Sequence, residues 1–119
     1  MTTAAGSRTL AHPDLGEITL EGVLHAFADP MRMRVVRDLA REEGAELSCS
    51  YFALPVSKST STHHFRVLRE NGVIRQIYRG TAKLSVLRRD DLDALFPGLL
   101  DTVLAAAARQ AERQTAAGS

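Results

Sequence analysis

The stretch Ser57-Lys58-Ser59-Thr60-Ser61-Thr62-His63-His64-Phe65-Arg66-Val67-Leu68-Arg69-Glu70-Asn71-Gly72 decides how the rest of the chain is read. Ser57 is a good N-cap, because its hydroxyl can accept from an amide that the first helical turn leaves unpaired. Asn71 and Gly72 tolerate the left-handed conformation that ends many helices. Between these signals Phe65 and Leu68 fall at helical spacing, with Ser61 and Val67 at the margins of the same face. The stretch therefore predicts a helix from Lys58 to Asn71 with one narrow apolar side. Fourteen residues at 1.5 Å each span roughly 21 Å. Its first turns carry Lys58, Ser59, Thr60, Thr62 and His63, and Arg66 and Arg69 follow further along.

Working outward, the segment before this helix, from about Leu47 to Leu54, predicts one or two helical turns stopped by Pro55. After Gly72 the period changes to two. Val73 to Tyr78 and Ala82 to Leu87 read as strands joined at Arg79-Gly80-Thr81. In the second strand Ala82, Leu84 and Val86 form one face, and Lys83 and Ser85 the other, with Lys83 read as outward. Upstream, Ile18, Leu20, Val23, Leu24 and Phe27 make a first helical stripe. Asp29 caps a second helix that Pro30 opens. Met31, Val35, Val36, Leu39 and Ala40 are its inward face, Arg32, Arg34, Arg37 and Arg41 lie largely off it, and Gly44 ends it. Downstream, Asp90 and Asp91 open a short helical turn. Pro97 starts a last helix with Leu100, Val103, Leu104, Ala107 and Ala111 at helical spacing. Residues 1–16 read as a flexible N-terminal tail, 17–114 as one domain and 115–119 as a C-terminal tail. The fold class is mainly α with a small β-hairpin, an α+β arrangement.

Charge is unevenly distributed. From Ser57 to Arg89 the bases Lys58, Arg66, Arg69, Arg75, Arg79, Lys83, Arg88 and Arg89 face the single acid Glu70, a net of +7. The rest of the chain holds seven basic and thirteen acidic residues, a net of −6. Such asymmetry in 119 residues points to a polyanionic partner on one side. A short helix, a tight turn, a capped helix and then a basic hairpin is the order of a winged helix-turn-helix, and a helical rod of this length fits the major groove. Double-stranded DNA is therefore the expected partner. Lys58, Ser59, Thr60, Thr62, His63 and Arg66 are the candidate base or phosphate contacts. Arg69 is expected to reach a flanking phosphate, and Arg79 and Lys83 the adjacent minor groove or backbone.

Other classes find little support. There is no glycine-rich phosphate loop, no G-x-S-x-G elbow and no paired Cys/His nucleophile, so the chain is not read as an enzyme. Cys49 is the sole cysteine, which excludes an internal disulfide and a four-thiolate metal site within one chain. It reads as a small buried apolar group, with a redox role as the alternative. His63 and His64 point about 100° apart on a helix, a poor geometry for chelating one metal. His63 is assigned to DNA, His64 to partly buried support of the helix, and His25 to an interface or the core. Met31 and Met33 are assigned to packing. No cofactor and no metal site are expected. Met1 to Gly16 lacks the pattern of a secretory signal, and no stretch approaches a membrane span, so a cytoplasmic protein with no membrane partner is expected.

Two segments resemble a known family. Leu24-His25-Ala26-Phe27-Ala28-Asp29-Pro30-Met31-Arg32 and Ser57 to Gly72 are similar, in the same order, to the second-helix entry and the recognition helix of the ArsR/SmtB-type winged helix repressors of bacteria. The resemblance covers about Leu24 to Leu87. It implies a homodimer whose interface uses the first and last helices, a repressor role, and DNA reading by Lys58, Ser59, Thr60, Thr62, His63 and Arg66. The family's metal-sensing Cys-x-Cys pair is not matched: Glu46-Leu47-Ser48-Cys49-Ser50-Tyr51 holds one thiol, and Pro97 to Gln114 holds no histidine. The expected function is a homodimeric regulator on an inverted-repeat operator, acting by promoter occlusion, with any small-molecule or redox effector left open. An architectural DNA binder of weak sequence preference is the alternative, and a protein-interaction module the third reading.

Overall fold

Short polar side chains set the helix starts. Thr19 Oγ1 accepts from Gly22 N at 3.0 Å and opens α1, Leu20–Phe27. Asp29 Oδ2 accepts from Met31 N and Arg32 N, at 2.8 and 3.1 Å, and opens α2, Pro30–Arg41. Pro30 sits in the first turn, where a missing N–H leaves no helical bond unmade. The computed structural model describes residues 10–42 and 44–118. These fall into two units, one ending at Arg88 and one beginning at Arg89.

In the first unit, Leu47–Ser48 form a two-residue strand, β1, followed by one helical turn, α3, Cys49–Phe52. The sequence predicted helical turns here and no strand. Two residues carry no periodicity, and β1 owes its existence to a neighbour, pairing Leu47 with Ser85 and Ser48 with Leu84. Ala53 then takes a left-handed conformation (φ 46°) and turns the chain toward α4, Lys58–Glu70. Phe52 and Phe65 pack with ring centroids 5.3 Å apart, which joins the short helix to the long one. At the other end of α4, Gly72 N bonds Arg69 O and Val73 N bonds Leu68 O. That paired pattern is a Schellman close, and Gly72 supplies its left-handed residue at φ +80°.

β2, Ile74–Arg79, and β3, Ala82–Leu87, form the expected antiparallel hairpin, and the sheet order is β1-β3-β2. Mainly helical elements around a small antiparallel sheet make this a winged helix-turn-helix. Val23, Phe27, Val35, Val36, Leu39, Phe52, Phe65, Leu68, Val73 and Ile74 are buried in this unit. One expectation is reversed: Ser85 is fully buried, and it lies on the same face of β3 as Lys83. Leu84 and Val86, on the other face, are only half-buried. The cause is a hydrogen-bonded polar cluster. Gln76 lies opposite Ser85, its Nε2 donates to Ser85 Oγ at 3.3 Å, and its Oε1 accepts from Arg69 Nη1 at 2.6 Å. Hydrogen-bonded polar groups can occupy a core face, so alternation of apolar residues misassigned the side.

The boundaries of the predicted tails also move. Residues 1–9 and Ser119 lie outside the described residues. Asp14 caps a 3-10 turn, Leu15–Glu17, in a reciprocal capping box. His12 Nε2 accepts from Gln76 N at 2.9 Å, and Arg88 Nη1 donates to Pro13 O at 2.9 Å. Contacts with the domain thus begin before residue 17. In the second unit, α5, Arg89–Leu95, is followed by α6, Leu99–Gly118. α6 starts two residues after Pro97 and continues through residues 115–118, which the sequence assigned to a tail.

Candidate nucleic-acid interface

The site is built on α4. Ser57 Oγ accepts from Thr60 N at 3.2 Å and donates to Thr60 Oγ1 at 2.9 Å, so the cap also orients the first hydroxyls. Lys58, Ser59, Thr60, Thr62, His63 and Arg66 are all exposed, whereas His64, Phe65 and Leu68 are buried. A single helix therefore separates its sequence-predicted contacts from its packing residues. His63 Nδ1 lies 3.3 Å from Arg66 Nη2, which places an imidazole and a guanidinium side by side on the open face. Unpaired amides at the α4 N-terminus add a favourable site for phosphate.

Other predicted contacts are engaged within the protein. Arg69 is half-buried on Gln76, so its expected reach to a flanking phosphate is not the arrangement found. On the wing, Arg79 is exposed but forms a two-pronged pair with Glu46, Nε to Oε1 at 3.1 Å and Nη2 to Oε2 at 2.9 Å. That bond holds the Glu46 carboxyl below its usual range and the Arg79 guanidinium above its own. Surface pairs of this kind exchange readily with other anions. Lys83 Nζ stands 5.8 Å from the centre of the Tyr78 ring.

Several participants escaped the sequence reading. Arg32 was placed off the inward face of α2, yet it is only 7% exposed. Its position gave the signal, since Arg32, Val35, Val36 and Leu39 follow one helical stripe, and the charge of the residue obscured it. Its Nη1 lies 3.2 Å from His64 Nδ1, which confirms the supporting place read for His64. Glu46 gave no local signal. Cys49 is exposed, not the buried apolar group expected, and partial desolvation raises its thiol pKa despite nearby Lys83. His25 is exposed and outside the core. Among the described residues no three His, Cys, Asp or Glu side chains cluster to hold a metal ion, and no helix is long and apolar enough to cross a membrane.

Known proteins share this arrangement. Residues 27–77 match a helix-turn-helix domain family. The chain is 31% identical over 83 residues to YceK of Bacillus subtilis (strain 168), described as an uncharacterized HTH-type transcriptional regulator, covering 68% of this chain and 82% of that protein. A solved structure described as a possible transcriptional regulator for arsenical resistance is 27% identical with a TM-score of 0.55, covering 71% of this chain and 84% of that one. An ArsR-like transcriptional regulator from Rhodococcus sp. RHA1 shares the fold at 23% identity and a TM-score of 0.54, over 82% of this chain and 87% of its own. With the capped α4, its preceding turn and its wing in place, the chain belongs to the helix-turn-helix transcriptional regulators.

Proposed function

We propose that the chain is a repressor that binds an inverted-repeat operator as a homodimer, with α4 of each protomer in the major groove of one half-site. The observation that carries the reading is the division of α4: six hydrogen-bonding side chains, Lys58, Ser59, Thr60, Thr62, His63 and Arg66, exposed on a helix whose other side is buried. Arg79 and Lys83 serve the flanking backbone or minor groove. Leu20 and Leu24, one turn apart on α1 and 43% and 44% exposed, support self-association, because exposed leucines in register suit an apolar contact. Occupancy of a promoter by the dimer blocks transcription.

Selection of bound duplexes from a random pool tests this. The expected product is a palindrome with half-sites about one helical turn apart. A pool that shows no enrichment refutes sequence-specific reading and favours the architectural alternative. A selected duplex placed over a reporter promoter then tests repression directly, and expression that does not fall when the protein is supplied excludes it.

A further inference from the structure

Arg32 has an unusual place for a cation. It is buried, and every nitrogen of its guanidinium faces an acceptor: Nε donates to Ala26 O at 2.9 Å, Nη2 to His25 O at 3.2 Å, and Nη1 meets His64 Nδ1 at 3.2 Å. The two carbonyls close the last turn of α1, so the cation also sits favourably at that helix's negative end. Its own backbone N–H is held by Asp29, whose Oδ2 lies 3.8 Å from His64 Nδ1. One side chain therefore ties the end of α1 and the start of α2 to the middle of α4.

Because a guanidinium only donates, the bond to His64 Nδ1 is made by the tautomer that carries its proton on Nε2. We propose that Arg32 and His64 are positioning residues for DNA reading, the guanidinium setting the roll of α4 through the His64 ring. The proposal rests on the reading of α4 as the base-contacting helix. The other buried residues of α4, Phe65 and Leu68, pack without directional bonds and tolerate small rotations. A hydrogen bond to a cation already fixed by two carbonyls does not. Buried polar groups of this kind add little stability relative to apolar replacements of similar size, and what they supply is a defined geometry. Side-chain tips lie about 5–6 Å from a helix axis, so a roll of about 20° moves them by roughly 2 Å, enough to lose a base contact. His63 adjoins His64, and Thr60 lies one turn away, so that roll acts on the contact face directly.

The test uses the full chain, the duplex enriched by the wild-type protein, and a scrambled duplex of the same composition. Arg32→Met and His64→Leu remove the bond while keeping bulk, and His64→Asn returns an acceptor near the position of Nδ1. The two apolar variants are expected to lower the selected-to-scrambled affinity ratio about tenfold, the scale of one lost base contact, with scrambled binding within about threefold of wild type. His64→Asn is expected to restore most of the ratio, which a merely structural role does not predict. Equal losses on both duplexes, in step with lower urea midpoints, overturn the proposal. So does an unchanged ratio in folded His64→Leu when Lys58→Ala and Arg66→Ala each lower it, and in that case the reading of α4 survives. If Lys58→Ala and Arg66→Ala also leave the ratio unchanged, the reading of α4 falls and the proposal with it.

Discussion

Replacing Gly72 with alanine isolates the joint on which α4, the wing and the start of the chain converge. Gly72 has φ +80°, and a Cβ there would sit 2.5 Å from both Cδ1 and Cγ1 of Ile18, a buried side chain. Gly80, at the wing tip, also has positive φ (+62°), but its Cβ would meet nothing within 4 Å. The left-handed conformation costs an alanine about 1–2 kcal/mol at either site. Lower entropy of the unfolded chain returns about 0.4–1 kcal/mol. Gly80→Ala should therefore lose about 0.5–1 kcal/mol by this balance. Gly72→Ala adds the displacement of Ile18, and overpacking of this kind costs about 1–3 kcal/mol, for a total of roughly 2–4 kcal/mol.

Urea unfolding followed by far-UV circular dichroism, at fixed protomer concentration, reads the difference. With a slope of about 2 kcal/mol per molar, Gly72→Ala should lower the midpoint by roughly 1–2 M and Gly80→Ala by less than about 0.5 M. Ile18→Ala removes all three contacting carbons, Cδ1, Cγ1 and Cγ2. The double variant with Gly72→Ala should thus be less damaging than the two losses added, by about 1 kcal/mol or more. Strict additivity, or equal midpoints for the two glycine variants, would refute the claim that Ile18 rests on a bare Cα.

Three further outcomes follow from local geometry. Ala53→Gly should stabilise by about 0.5–1 kcal/mol, because glycine takes the left-handed turn after α3 without a Cβ penalty, and an unchanged urea midpoint would count against strain there. Gln76→Leu should destabilise by about 2–4 kcal/mol despite its apolar side chain, since Arg69 and Ser85 lose partners inside the fold; adding Ser85→Ala should recover part of the loss. His12 should make stability pH-dependent: burial first, then the charges of Arg75, Arg69 and Arg88, hold its pKa below the usual 6.5. The neutral ring that accepts from Gln76 is favoured in the folded state, so this contribution is full above pH 6.5 and is lost as pH falls through the lowered value. The gap in urea midpoint between wild type and His12→Ala should close on going from pH 7.5 to pH 5, and a constant gap would contradict it.

Legibility in the sequence followed the reach of each interaction. α2 and α4 were legible because caps and helical spacing act within a few residues: Asp29, Ser57, Asn71 and Gly72 all do what their chemistry suggests. The outward set on α4 was legible for the same reason. β1 was not, because its two residues are held by a strand almost forty positions later. The buried side of β3 was misread because Gln76 bonds both Ser85 and Arg69 across three elements, and no local pattern reports a distant partner. Arg32 shows the opposite failure. Its spacing placed it inward, but a cation is rarely buried without partners, and the carbonyls and imidazole that satisfy it were not visible along the chain.

The same distinction changes what the basic segment means for DNA. Eight bases lie between Ser57 and Arg89, but three of them bond within the protein, Arg69 to Gln76, Arg88 to Pro13 and Arg89 to Asp101, and Arg75, exposed on β2, is outside the set read as contacting DNA. Lys58, Arg66, Arg79 and Lys83 remain as the cations read as DNA contacts on α4 and the wing. On the proposed dimer these cations correspond to about eight neutralised phosphates, and the log–log dependence of affinity on salt should have a slope of roughly −7. Had all eight bases of each protomer reached DNA, the slope would approach about −14. Retention of Arg79 by Glu46 in the complex would instead reduce it to about −5. A gel-shift titration against salt on wild type and Glu46→Gln separates these cases. If DNA displaces Glu46, both proteins give slopes near −7 by this count, and the variant binds more tightly because no carboxylate competes for Arg79. A wild-type slope near −5 that steepens in Glu46→Gln would show that the pair persists on DNA, and a slope near zero would remove phosphate contact from the mechanism altogether.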